Sequence, residues 1–540
     1  MKEFVCIVLC LGLARGHGGG DVLKGTVYMD STGEASFVAG KLDRSGGAAY
    51  AVFNNSLYTN GWGVLDIKAG FGEKPMKDTD TMYAAGFIEG MLTARQIWDH
   101  YVNMRSQFLT NKGKFEKKLR KFFTQQEKWA KNMVEKFGTS DPFWRHVSYV
   151  NAQLDGLYDG YKTVAPKKWA HDKFVVQMLN GVGDLIDLRW ALDPSERQDT
   201  TKMTPAEIRS YILHSGHCSA LVKLTGAFED LYMAHSSWFT YTATLRIYKH
   251  YDFNLQDKAM AAKSLSFSSY PGFLESLDDF YMLSSNMVLL QTTNNIFNTT
   301  LYDLVTPESL LNWQRVRIAN HMANSGKEWA VIFGKHNSGT YNNQYMVIDL
   351  KRVHLRQRVD DNALWVIEQI PGLVVAGDQT PILRAGYWPS YNVPFYEEIY
   401  EKSGYTDFVA HHGLSYSYQL APRAKIFRRD QDNVLSLEDM QHVMRYNDYK
   451  HDNYSKGDPC NTICCRDDLR AKKPSPSGCY DSKVTTYKMA LQRQAVAING
   501  PTLGDHELPP FSWQGNFTKY SHQGLPKAYK FPWVYMQPNL

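Results

Sequence analysis

The chain has 540 residues, with 60 Lys and Arg against 55 Asp and Glu, a formal charge of +5. Hydrophobic residues make up 43% and charged residues 21%, the balance of ordinary globular material. So small a surplus argues against a nucleic-acid binder, and seven Cys with 39 aperiodic Gly exclude disulfide-scaffold and collagen-like chains.

In chain order, Phe4 to Leu13 form an apolar run after Lys2, and Ala14 and Gly16 follow at cleavage-type spacing. Residues 1–16 therefore read as a secretory signal peptide, whose removal leaves a charge of +4. No later apolar run reaches 18 residues, so no membrane span is expected. Residues 22–69 read as short strands and turns, with strands at 26–29, 50–53 and 63–67. Residues 79–190 read as helical, with Asp141–Pro142 as N-cap and first helical position. Within 112–137, Phe115, Leu119, Phe122, Trp129 and Met133 recur near helical spacing, among nine Lys or Arg and three Glu. That pattern predicts a packed helix with a solvated Lys face; contact with an anionic membrane surface is the functional alternative.

Residues 192–209 are polar, with two Pro and a charge cluster, and read as a loop or linker. Three strands are predicted next, at 218–224, 228–234 and 241–248. A helix over 307–323 follows, then strands at 329–333, 344–348, 364–367 and 373–375. Helices flanking a largely antiparallel sheet are the implied architecture, and there is no internal repeat.

Cys6 and Cys10 leave with the signal peptide. Cys460, Cys464, Cys465 and Cys479 cluster near the C-terminus and predict two disulfides, with three pairings open; zinc is the alternative, at a spacing unlike a standard finger. Asn54, Asn298, Asn453 and Asn516 each head a glycosylation sequon. Cys218 is left over, as a buried hydrophobe or a reactive thiol.

No Gly-x-Ser-x-Gly, His-Glu-x-x-His, Walker loop or strand-linked Gly-x-Gly-x-x-Gly occurs. No metal and no cofactor are expected. What survives is His214-Ser215-Gly216-His217-Cys218-Ser219-Ala220-Leu221-Val222-Lys223, a lone Cys opening an apolar strand after a polar loop. Cutting the bond between His217 and Cys218 would put a thiol and an α-amine on one residue. An α-amine titrates near pH 8, close enough to neutrality to accept the thiol proton.

Around that segment the sequence resembles the phospholipase B-like family of lysosomal and secreted glycoproteins, members of the N-terminal nucleophile hydrolases. The resemblance is carried by His217 to Lys223, by Ala234-His235-Ser236-Ser237-Trp238, by Ser338-Gly339-Thr340-Tyr341-Asn342-Asn343-Gln344-Tyr345 and by Pro422-Arg423 to Asp430. It spans essentially the whole mature chain. It implies an α+β fold, a four-layer αββα N-terminal nucleophile hydrolase sandwich. It also implies cleavage before Cys218, giving an N-terminal fragment 17–217, with 192–217 as linker and processing region, and a catalytic chain 218–540 in one folded unit.

The implied activity is hydrolysis of lipid acyl esters, with acyl amides as the neighbouring chemistry, in a secreted or lysosomal compartment. Cys218 is then the nucleophile and its amine the base. His235 would orient the thiol or contact the scissile carbonyl, and Trp238 would wall the acyl pocket. Asn342 or Asn343 would donate to the oxyanion, and Arg423 would stabilise negative charge. Related sequences often carry Asn where Ser236 stands, which puts any hydrogen bond from that amide in doubt. A non-catalytic lipid-binding or interaction glycoprotein, and an amidase for a small non-lipid substrate, are the alternatives. Ester or amide preference, oligomeric state and final destination stay open.

Overall fold

The computed structural model describes residues 21–109, 113–214 and 217–540. The signal-peptide prediction and Ser215-Gly216 of the processing region lie outside the described residues.

The described residues open with strands β1 (Asp21–Met29), β2 (Ala35–Ala39), β3 (Ala49–Ser56) and β4 (Trp62–Ala69); β1, β3 and β4 contain the three predicted strands, and β2 was not predicted. A helical stretch follows: α1 (Asp78–Phe108), α2 (Lys114–Phe137), α3 (Pro142–Val164), α4 (Phe174–Asn180) and α5 (Val182–Leu192). Asp141 caps α3, its side chain accepting from Phe143 N, with Pro142 in the first turn. In α2, Leu119, Phe122 and Phe123 are buried while Lys117, Lys118, Lys121 and Lys128 are exposed. Its apolar stripe is spent on the core, which supports the packed-helix reading. No helix among the described residues is long and apolar enough to cross a membrane.

The linker is more ordered than its composition predicts. Short 3₁₀ turns at Pro194–Glu196 and Thr200–Lys202 lead into helix α6 (Pro205–His214). Glu207 accepts from both N and Oγ1 of Thr204, a capping arrangement that starts a helix in a polar sequence.

Next come β5 (His217–Leu224), β6 (Leu231–Thr240), β7 (Ile247–Phe253), β8 (Ser264–Ser269), β9 (Tyr281–Leu283) and β10 (Met287–Thr293). The second of these starts three residues later than predicted, because 226–228 form a 3₁₀ turn. The third starts at Ile247, because Tyr241–Ala243 form another. Helices α7 (Asn312–Met322) and α8 (Gly326–Gly334) follow. The strand predicted at 329–333 is thus the body of α8. Ser325 caps it, and Trp329, Ala330 and Phe333 are buried while Val331 is exposed, a helical period that the short apolar run conceals.

The remaining strands are β11 (Asn343–Asp349), the two-residue pair β12 (Val353–His354) and β13 (Arg358–Val359), then β14 (Leu364–Ile370), β15 (Leu373–Asp378), β16 (Tyr387–Ser390), β17 (Ser477–Cys479), β18 (Asp481–Thr486), β19 (Ala495–Asn499) and β20 (Val534–Met536). Helices α9 (Pro422–Asp430) and α10 (Leu437–Arg445) lie between β16 and β17.

Two large sheets result. The first runs β15-β14-β11-β10-β9-β8-β7-β4-β3-β1-β2, and the second β16-β5-β6-β18-β19-β20 with β17 beside β6. Pairing is antiparallel except where β4 lies parallel to β7, from Gly63 opposite Ile247 to Ala69 opposite Phe253. The sheets share one apolar core: Trp62, Tyr248, Leu290 and Met346 of the first meet Ala220, Val222, Met233 and Ala497 of the second. The other face of the first sheet packs under α1 to α5, α7 and α8. On the other face of the second, Leu221, Ala234 and Val484 meet Ile426 and Phe427 of α9 and Met440 and Met444 of α10. The chain is therefore α+β, and this layering is compatible with the predicted sandwich. Both faces of β5 are covered, so all eight of its residues are buried and its sequence shows no alternation.

Glycine sets how closely α1 and α3 approach. A Cβ on Gly86 would lie 1.9 Å from Gln153 O, and one on Gly156 would lie 2.0 Å from Tyr83 O. With Gly90 and Gly160 one turn on, the two helices touch backbone to backbone. The open cysteine pairing resolves as Cys460–Cys465 and Cys464–Cys479. Of the sequons, Asn54, Asn453 and Asn516 are exposed; Asn298 is half-buried and donates to Lys402 O.

Candidate active site

Cys218 is the second residue of β5, 6% exposed and free of any disulfide. Side chains alternate along a strand. Ala220 and Val222 point into the inter-sheet core, so Cys218 points the same way. Its partner across β6 is Ser237. Together with Trp238, Asp278, Thr293 and Tyr341 they line a cavity of about 30 Å³. Burial pushes the thiol up to about 12, against a backbone hydrogen bond from Trp238 that lowers it. At pH 7 such a thiol is protonated and needs a base before it can attack.

The backbone of Cys218 is held on both sides. Its N donates to Asn392 Oδ1 at 3.2 Å, and its O accepts from Arg423 Nη1 at 2.5 Å. Arg423, at the start of α9, also donates to Asn392 Oδ1 at 2.7 Å and Tyr391 O at 2.8 Å, and its guanidinium lies 4.4 Å from the Trp238 ring centroid. All these acceptors are uncharged. Burial lowers the Arg423 guanidinium to about 9, which leaves it cationic at neutral pH. Asn392 adopts a left-handed conformation, φ +68°, and its amide donates to Thr293 O at 2.6 Å. Asn is among the non-glycine residues that tolerate this region best.

Beneath Ser237 lies a buried charge network. Lys483 on β18 donates to Ser237 Oγ at 2.7 Å, Asp481 Oδ1 at 2.8 Å and Asp278 Oδ2 at 3.3 Å. Arg246 pairs with Asp278 and lies 3.2 Å from Asp481 Oδ2. Burial pushes the Asp278 carboxyl up, but Arg246 and Lys483 outweigh it and hold the group well below the usual range. Two cations thus face two carboxylates within one hydrogen-bonded step of the thiol's neighbour.

The structure places the other predicted residues unevenly. Trp238 lines the Cys218 cavity, stacks beside His217 at 6.2 Å and donates from Nε1 to Ile463 O at 3.1 Å. His235 sits across from Ala220 and does not line that cavity; its Nδ1 is 3.5 Å from Ser237 Oγ. Burial, then Lys483, hold its imidazole well below its ordinary value, so it is neutral. Asn342 is committed to Asp187, Gly339 and Gln369, and Asn343 donates to Tyr345 Oη. Neither reaches the cavity. The residue of that turn that does is Tyr341, at φ +52°, with its hydroxyl donating to Leu277 O at 2.5 Å. Ser236 faces away, toward Met444 O and Ser482 Oγ, so its departure from Asn does not touch the thiol. Asn392, Tyr341, Ser237 and Lys483 escaped the sequence reading. Ser237 and Tyr341 stand within the segments that carry the resemblance, whereas no sequence signal pointed to Asn392 or Lys483.

Two larger cavities flank the thiol's. One, of about 240 Å³, shares His217 and Trp238 with it and is lined also by Asn392 and Arg423. The other, of about 660 Å³, shares Ile186 and Phe239 and is lined by Phe108, Trp190 and Tyr520. Helix α6 supplies Arg209 and Ile212 to the first, and Glu207, Ser210 and Tyr211 to the second. Tyr211 lies 6.2 Å from the Trp190 ring and 6.4 Å from that of Phe297. The linker helix is therefore a partition between cavities that both adjoin the thiol's.

Comparison with known proteins adds the family. A family model for phospholipase B matches residues 49–536. The chain is 50% identical to phospholipase B-like 1 of Bos taurus over 536 residues, covering 99% of this chain and 96% of that protein. It is 50% identical to phospholipase B of Crotalus adamanteus over 522 residues, 96% and 94% of the two chains. Phospholipase B-like protein D of Dictyostelium discoideum is 36% identical over 535 residues, 95% and 91%.

Proposed function

The chain belongs to the phospholipase B family, and on that premise we propose that it is a self-processing hydrolase of lipid acyl esters with Cys218 as nucleophile. The observation that carries this reading is the setting of Cys218. Its thiol adjoins a cavity, its backbone N faces the Asn392 acceptor, and the segment before it stands between two larger voids.

In the first reaction the thiol sulfur attacks the carbonyl carbon of His217. The amide nitrogen leaves as the α-amine of Cys218, and water hydrolyses the thioester to a carboxylate on His217 and a free thiol. Ser237, opposite Cys218 and bonded to Lys483, is the route for the first proton. The product is an N-terminal fragment ending at 217 and a chain of 323 residues, after loss of the signal peptide in the secretory pathway.

In the second reaction the new amine, held by Asn392 Oδ1, takes the thiol proton. The thiolate attacks the substrate carbonyl, the alcohol leaves with that proton, and water releases the fatty acid. The Trp238 backbone N–H, already directed to the sulfur, is the first oxyanion donor; one such donor contributes about 3 kcal/mol. Arg423 adds positive charge, and Trp238 forms the wall between thiol and cavity. Loss of part of 192–217 would join the three cavities into one cleft, whose aromatic lining suits an acyl chain. His235 acts through Ser237 as a positioning residue. An acyl amide meets the same residues, so the amidase reading shares this chemistry.

The test is intact mass and N-terminal sequencing of the secreted protein after mild acid treatment, beside Cys218→Ala. A chain starting at Cys218 in wild type alone, with fatty acid released from phospholipid vesicles, is the expected result. One uncut chain in both would overturn self-processing. A cut chain that releases acyl groups only from amides would replace the ester reading.

A further inference from the structure

Away from Cys218, two loops bring imidazoles to one carboxylate, and we propose that Asp448, His451 and His506 bind a zinc-type divalent cation. The first loop follows α10. Its chain turns at Asp448, whose carbonyl accepts from the backbone N of His451 at 3.1 Å and of Asp452 at 2.9 Å. That turn sets His451 Nδ1 2.6 Å from Asp448 Oδ1. The second loop follows β19 and brings His506 Nε2 to 3.3 Å from Asp448 Oδ2.

The two loops are fixed to each other by a hydrogen bond and a close backbone approach. Thr502 Oγ1 donates to Arg445 O at 2.7 Å. Gly504 has φ +61°, and a Cβ there would lie 2.6 Å from Asn447 O. Only glycine fits this approach, which holds the strand of chain bearing His506 against the residue preceding Asp448. The ligand-bearing segments are thus assembled without the ion.

The donor atoms of the three side chains all lie within 4.8 Å of one another, and the imidazole rings meet at 83° with centroids 4.8 Å apart. A tetrahedral ion at about 2.0 Å from each donor would space them about 3.3 Å apart, so small rotations complete the set. Two imidazoles and one carboxylate select zinc and its transition-metal neighbours over calcium or magnesium, which take oxygen. The imidazoles are 62% and 61% exposed, which leaves a fourth position to water. As bare ion pairs at such exposure they would contribute little. The bound cation would cross-link the loops at 446–458 and 500–508.

The experiment uses the untagged full chain, stripped with chelator and titrated with zinc chloride by calorimetry. Expected is one zinc per chain, weakened at least about 10-fold in His451→Ala and in His506→Ala and unchanged in His442→Ala. Cobalt in place of zinc should give visible ligand-field absorption in wild type, lost in His506→Ala. Thermal melts of the stripped variants control for folding; both rings are exposed, so these should match wild type. No stoichiometric uptake, or uptake equal in wild type and both His variants, overturns the site.

Discussion

The crossing of α1 with α3 and the edge of β5 and β6 are both buried, and they are built in opposite ways. At the crossing, four glycines bring two backbones into contact. At the strand edge, Arg246, Asp278, Asp481 and Lys483 are at most 2% exposed, and Asp278 lines the cavity of Cys218. Close packing of neutral groups gains dispersion and apolar burial without desolvating charge. Burying four charges gains little stability over an apolar core, so their presence beside the only free thiol among the described residues fits the reaction proposed there.

Substitutions break the contrast from either side. Lys483→Met leaves Asp278 and Asp481 to share Arg246. In a Cys218→Ala background, where no cut intervenes, urea unfolding should show a loss of about 4 kcal/mol. An unchanged midpoint would mean that the network is not electrostatically coupled. Gly156→Ala drives a methyl into Tyr83 O and should lower stability by about 3 kcal/mol, read by the same method. Cleavage before Cys218 should persist below the lowered melting temperature. Cleavage lost at full stability would show that the crossing belongs to the site.

The smallest effect is a pH slope. Glu368 accepts from Gln344 Nε2, Phe395 N and Tyr396 N, and burial raises its carboxyl to about 7. A carboxyl raised in the folded state is protonated there before it is in the unfolded chain. Its penalty is absent below the unfolded value, grows as pH rises from about 4.5, and is complete above 7. Wild type minus Glu368→Gln should therefore gain about 2 to 3 kcal/mol between pH 8 and pH 5. A flat difference would place Glu368 outside this balance.

Much of the fold was legible because long apolar periods are local. The strands of 22–69, the helices of 79–190 and the cap at Asp141 follow from residues a few positions apart. Trp329–Phe333 was misread because five apolar residues fit either period, and only the Ser325 cap decides for helix. The linker was read from composition alone, which carries no trace of the aromatic walls that α6 packs between. At the site, the lone Cys218, Trp238 and Arg423 stood out in sequence and meet in space. Asn342 and Asn343 were chosen for their amides, yet the turn spends those on its own closure and presents Tyr341 instead. Asn392 and Lys483 reach the thiol's surroundings through sheet register and loop packing, which no local spacing encodes.

The parallel pairing of β4 with β7 joins residues from the two sides of the proposed cut across seven register positions. Before the cut, that pairing closes a loop within one molecule, and its formation is independent of concentration. After the cut it becomes an interface between two polypeptides, and unfolding acquires a second-order return path. Cys218→Ala should then melt at a temperature independent of dilution. The cut protein, once its pieces separate, would have to find its partner again. Maturation would thus convert a fold that can be regained into one that persists by the slowness of its dissociation.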